Sequence, residues 1–237
     1  MDLSRLNKEQ QEAVKHMEGP LLILAGAGSG KTTMMTHRIA YMLEKGVSPY
    51  NILAVTFTNK AAGEMKDRIE SLTGGTRGMW VMTFHAMCVR ILRNHGEVLG
   101  FKNGFSIYDE SDKKALLKRI VKDLKIDEKI YPVSYLGSVI SSCKEAEEDP
   151  DDYIENNSMN FKAETVAKVY ARYMEDLQQN NAMDFDDLLW NAVKLFEASS
   201  EVLSYYQERF KYIMVDEYQD TNYLQYKLIH ALAEKSH

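Results

Sequence analysis

Apolar residues follow two rhythms along this chain. In the first third, short unbroken apolar runs alternate with stretches in which they return every three or four positions. The runs at 21–25, 52–56 and 79–83 predict strands, and the periodic stretches at 31–44, 59–72 and 84–99 predict helices. Gly46, Gly74, Gly75 and Gly100 supply the stops. Such alternation predicts a parallel sheet with helices packed on its faces, an α/β fold.

The middle has only the helical rhythm. Leu116, Leu117, Ile120, Val121 and Leu124 fall on one face of a helix that Ser111 would cap. Val166, Val169, Tyr170, Tyr173, Met174 and Leu177 mark another. Pro150 and Asn156–Asn157 read as loops. Strand character returns at Tyr212–Val215.

Chemistry enters where the first run ends. Leu21–Ala25 leads into Gly26-Ala27-Gly28-Ser29-Gly30-Lys31-Thr32. Strand, glycine-rich turn and helix in that order form a phosphate-binding loop, with Ala25 at the place of the pattern's first glycine. Glycines let several backbone N–H groups face one centre, and the helix start adds its own N–H groups and dipole. Lys31 would reach the β- and γ-phosphates of ATP, and the Thr32 hydroxyl would ligate Mg²⁺. The later strand runs directly into Asp216-Glu217, the form of a Walker B strand. Asp216 would hold the Mg²⁺ shell, and Glu217 would orient or deprotonate the attacking water. Lys31 and Asp216 stand 185 positions apart, yet their strands must share one sheet. The helical block therefore reads as a domain inserted into the nucleotide-binding one.

The totals change this picture little. Two cysteines in 237 residues form no disulfide framework and no metal-ligand spacing. No apolar run reaches membrane-spanning length, and the N-terminus has no signal core, so a cytoplasmic protein is expected. The net charge of −6 argues against nucleic acid at first sight. Residues 144–155 account for that excess, with seven acids against Lys144. The segment 112–129 is locally basic. Both read as solvated faces.

With the two motifs placed, further blocks become legible: Leu6–Val14, Thr56–Ala62, Thr83-Phe84-His85, Met183–Leu188 and Val215–Thr221. In this order they resemble the N-terminal part of superfamily 1 DNA helicases of the UvrD/Rep/PcrA type, over essentially the whole chain. The resemblance implies a RecA-like lobe over 1–105 and 183–237, interrupted by an all-helical domain over 106–182. It implies that Gln10 recognises adenine, a role suited to a carboxamide with one donor and one acceptor side. It implies nucleotide contacts along Ala25, Gly26, Ala27, Gly28, Ser29, Gly30, Lys31, Thr32 and Thr33. Relatives often carry arginine at the place of Thr33. It also implies that Phe57 stacks on a base of single-stranded DNA, with Thr58, Asn59, Lys60, Thr83, Phe84 and His85 along the strand. On residue type alone, Phe57 reads as a core phenylalanine and His85 as structural. Asp184, Asp186 and Asp187 read as the start of a helix, structural or DNA-adjacent. Gln219 would couple nucleotide state to the motor.

The function so implied is ATP-dependent 3′→5′ unwinding or translocation in DNA repair or replication, on single-stranded DNA and 3′-tailed duplex. The motor subunit of a helicase–nuclease, a nucleotide-binding regulatory module and a DNA-binding scaffold are the alternatives. Family members continue with a further strand in this lobe and then a second lobe, whose arginines reach the γ-phosphate. A piece lacking them is expected to bind ATP weakly and to turn it over very slowly.

Overall fold

The computed structural model describes residues 2–26 and 28–235. The chain begins with α1 (Lys8–Lys15), α2 (Lys31–Glu44), β1 (Ile52–Thr56), α3 (Asn59–Thr73), β2 (Trp80–Thr83) and α4 (Phe84–His95). It continues with β3 (Ser106–Tyr108), α5 (Glu110–Asp123), α6 (Val133–Glu145), α7 (Pro150–Asn156), α8 (Ala163–Gln179), β4 (Ala182–Asp184) and α9 (Phe185–Ala198). Then come α10 (Ser200–Arg209), β5 (Tyr212–Val215) and α11 (Tyr223–Ala233). Two compact units result: residues 1–87, 200–221 and 226–237 in the first, 88–199 and 222–225 in the second.

The first unit is built on a parallel sheet of order β2-β1-β5. All five residues of β1 are buried, as a central parallel strand covered on both faces requires. On one face Ile52, Ala54 and Val81 meet Met35, Ile39 and Met42 of α2 and Met65 and Ile69 of α3. Trp80 lies edge-on to Phe210, with ring centroids 5.0 Å apart. Leu53 and Trp80 are partners in the register, and Ala54 stands between Val81 and Met214. Gly74 ends α3 in a left-handed conformation, as a helix stop should.

One expected strand is absent. Residues 21–25 make no ladder bonds, and Leu22 and Leu24 are 68% and 87% exposed. The physical reason is the want of a partner. A cleft of about 880 Å³, lined by Gly19–Leu24 on one side and by β5 on the other, keeps the segment out of reach of the sheet. β5 is correspondingly an edge strand, half-buried along its length.

The second unit is helical except for β3 and β4, a three-residue parallel pair in which Tyr108 stands opposite Asp184. Helical periodicity did not announce this pair. The cap of α5 is Asp109, not Ser111. The expected loop at Pro150 is α7, because Asp149 caps it and proline at the first position lacks only an N–H the helix does not use. Asp184 caps α9 in a capping box with Asp187, so this acidic block does begin a helix.

That block is also the anchor of a buried ionic network. Lys144 is fully buried and donates to Asp184 at 2.8 Å, with Asp187 at 2.7 Å. Lys113 donates to Ser141 at 2.6 Å and Asp186 at 2.8 Å, and the Tyr173 hydroxyl donates to Asp184. Burial works against ionised Asp184, but Lys144 and Lys113 overcome it and hold the carboxyl down at about 2. Burial and the neighbouring Asp184 charge push Asp187 up to about 6 despite Lys144. Between about 4 and 6, native Asp187 therefore keeps a proton that the unfolded chain releases. Its contribution should rise as pH falls through that window, and that of Asp184 should be lost below it. Thermal midpoints measured from pH 7 to 4 should show the rise, and Asp187→Asn should flatten it; an unchanged profile in the variant would refute this assignment.

Candidate functional site

The phosphate loop joins the exposed segment 21–25 to α2. Gly28 and Gly30 both have positive φ, 75° and 85°, which an L side chain adopts only with strain. A Cβ on Gly30 would also stand 3.2 Å from the Gln10 amide nitrogen. Ala27 lies outside the described residues. Gly26, Gly28, Ser29, Gly30, Lys31, Thr32 and Thr33 line a cleft of about 530 Å³ together with Arg68, Glu217 and Gln219. The Lys31 ammonium donates to the carbonyls of Ala25 at 3.1 Å and Gly26 at 3.4 Å, and stands 4.0 Å from the Glu217 carboxylate.

Gln10 reaches the loop from α1. Its Nε2 donates to the Ser29 carbonyl at 2.9 Å, and its Oε1 accepts from the Asn7 backbone N–H at 2.9 Å. A carboxamide offers two donor hydrogens and two lone pairs. After these two bonds, one of each is left on a side chain whose orientation is set. That is the complement of the N6/N7 edge of adenine.

The acidic side comes from the far end of the chain. The Asp216 N–H donates to the Val55 carbonyl at 2.9 Å, extending the β5–β1 pairing, and its side chain is buried. Burial raises its carboxyl above the ordinary value and the Glu217 charge adds to this; Lys31 and a hydrogen bond with Thr32 oppose them. Glu217 follows in a left-handed conformation, φ 50° and ψ 45°, which turns its side chain back toward Lys31. Gln219 Nε2 donates to the Glu217 carboxylate at 2.6 Å. The described residues hold no group of three or more His, Cys, Asp or Glu placed to grip a metal. Any divalent ion here would rest on Thr32, Asp216 and the nucleotide's own oxygens, a hard-oxygen set that suits Mg²⁺.

The other sequence-predicted residues gather at the carboxyl ends of β1 and β2, where parallel sheets carry function. Thr56 and Thr83 are partners in the register, so the two turns that follow are neighbours. Phe57 is half-buried, while Thr58, Asn59 and Lys60 are exposed. Phe84 is 1% exposed and supports the Phe57 ring from 5.5 Å. Thr83 is buried and its hydroxyl accepts from the Ala86 N–H; His85 is half-buried.

One cleft residue escaped the sequence reading. Arg68 of α3 has its guanidinium 3.5 Å from the Thr33 hydroxyl, and among the described residues no carboxylate pairs with it. The only signal was its place on the helix that opens from the Asn59 turn.

Comparison with known proteins identifies the family. The family model for the UvrD/REP helicase N-terminal domain matches residues 6–237. The ATP-dependent DNA helicase PcrA of Staphylococcus aureus is 50% identical over 236 residues, covering 98% of this chain and 32% of that protein. PcrA of Staphylococcus epidermidis matches with the same identity and coverage. The chain thus spans about a third of the length of these relatives. A phosphate loop, a Walker B pair and a family match over nearly every residue lead to one conclusion: the chain belongs to the UvrD/REP helicase family and carries its N-terminal domain.

Proposed function

We propose that this chain is the ATP- and single-stranded-DNA-binding first part of a 3′→5′ DNA helicase motor. The observation that carries the reading is the meeting of Lys31 and Thr32 with Asp216 and Glu217, brought from distant parts of the chain by the packing of α2 on β1 and the pairing of β1 with β5. In this reading ATP lies along Ala25–Thr33, with Gln10 on adenine and Arg68 serving where relatives carry arginine at the place of Thr33. Mg²⁺ supplies Lewis-acid polarisation of the phosphates, held by Thr32 and Asp216. Glu217 orients the attacking water, and Gln219 holds that carboxylate and links it to the motor.

Residues 106–182 form an insertion in the RecA-like lobe of 1–105 and 183–237. The whole protein is longer and cytoplasmic, and its second lobe supplies the γ-phosphate arginines, so these 237 residues alone turn over ATP very slowly. The cleft beside β5 is the seat of a further parallel strand from the longer chain, which would also pair with 21–25. Among the described residues no helix is long and apolar enough to cross a membrane.

DNA would cross the carboxyl ends of β1 and β2. Phe57, propped by buried Phe84, is the stacking ring; Thr58, Asn59 and Lys60 face the backbone; Thr83 and His85 shape the adjoining turn. Fluorescence anisotropy of a labelled oligothymidine tests this. Phe57→Ala is expected to weaken binding by about 1–3 kcal/mol at low salt. Unchanged affinity would remove DNA from this surface and favour a nucleotide-binding module.

A further inference from the structure

We infer that Arg38, which neither motif contains, is a positioning residue that sets base selectivity by fixing α1 to the phosphate-loop helix. The inference rests on the nucleotide reading above and deepens it. α1 has eight residues, too few to persist as a helix alone. It is held at two places. Near its start, Gln10 donates to the loop carbonyl of Ser29. At its end, Arg38 Nη1 donates to the carbonyls of Ala13, at 2.6 Å, and His16. Those are carbonyls of the last turn and cap, where a helix has no N–H of its own to offer and where a cation is favoured by the dipole. Leu6 and Val14 complete the seat against Met34.

Arg38 is 8% exposed, and among the described residues no carboxylate pairs with it. Among the described residues its two hydrogen bonds both run from Nη1 to backbone carbonyls, so its partners are the end of α1 and not an acid. Its placement gives it a positioning role. Arg38 stands two turns along the helix whose first residues are Lys31 and Thr32. One rigid element thus carries the phosphate-binding groups at one end and the clamp on α1 farther along. The distance between the Gln10 amide and the phosphate site is set through that clamp. Loosening it should blur the reading of the base and spare the grip on phosphate.

The test compares mant-ATP with mant-ITP, which lacks the N6 donor, and uses inorganic tripolyphosphate as the base-free competitor. The parent chain is expected to prefer ATP by about tenfold, the worth of one good polar contact. Arg38→Met should bring that ratio to within about twofold while tripolyphosphate affinity changes by less than about twofold. Arg38→Lys, which can reach one carbonyl, should restore part of the ratio. Amide exchange in residues 8–15 should speed up in Arg38→Met and leave β1 protected. A ratio that stays near tenfold in Arg38→Met overturns the inference, as does an equal loss for all three ligands. A parent chain without base preference would sink the Gln10 reading instead; unaltered exchange in α1 would then sink the clamp as well.

Discussion

Glu217→Gln is expected to lower ATP turnover of the full-length protein by about 10²–10⁴, the usual worth of a positioned general base. Affinity for ATP should change little. The amide keeps the shape and the hydrogen-bond reach of the carboxylate but cannot take a proton. In the structure the Glu217 carboxylate is fixed by Gln219 at 2.6 Å and faces the Lys31 ammonium at 4.0 Å, so it is aimed at the end of the cleft where the terminal phosphate would lie. The neighbouring Asp216 is buried. Single-turnover hydrolysis with saturating ATP separates the chemical step from binding. A rate within about threefold of the parent would mean that Glu217 is not the base.

Lys144→Ala is expected to destabilise the chain by about 3–5 kcal/mol, with the loss in the second unit. The substitution removes the one ammonium in direct contact with both Asp184 and Asp187 and leaves two buried carboxylates without it. Lys113 stands 3.9 Å from Asp184 and cannot replace a direct hydrogen bond. Denaturant unfolding monitored by Trp190, which sits on α9 beside this network, would report the effect. The triple change Lys144→Met, Asp184→Asn, Asp187→Asn should recover most of the loss, because it removes the charges together. A single-variant loss below about 1 kcal/mol would show that the network is solvated and that the buried geometry does not govern stability.

The two motifs were legible because each is local. Gly28-Ser29-Gly30-Lys31-Thr32 needs only consecutive residues, and Asp216-Glu217 needs only the strand before it. α2, α3, α4, α5 and α8 were legible from the three-four rhythm, and β1, β2 and β5 from unbroken apolar runs. What escaped depends on partners distant in the chain. Leu21–Ala25 has every local mark of a strand, but a strand is a relation between two segments, and no neighbour reaches it. β3 and β4 are three residues each and carry no period at all. Arg68 and Arg38 look like solvated helix positions until α3 and α1 are folded against α2. Pro150 misled because proline stops a helix from within and starts one at its first turn.

The pairing of Ile52 with Tyr212 also governs the order in which the molecule can be made. At about 5–20 residues per second on the ribosome, β1 waits on the order of ten seconds for β5. During that interval β1 and β2 can already pair, but one side of β1 shows bare backbone. The residues of 88–199, by contrast, are all present before β5 emerges. Long-range parallel pairing is the slow kind. The nascent chain should therefore hold a helical segment and an unfinished sheet at once, and Lys31 and Asp216 can come together only after β5 has emerged.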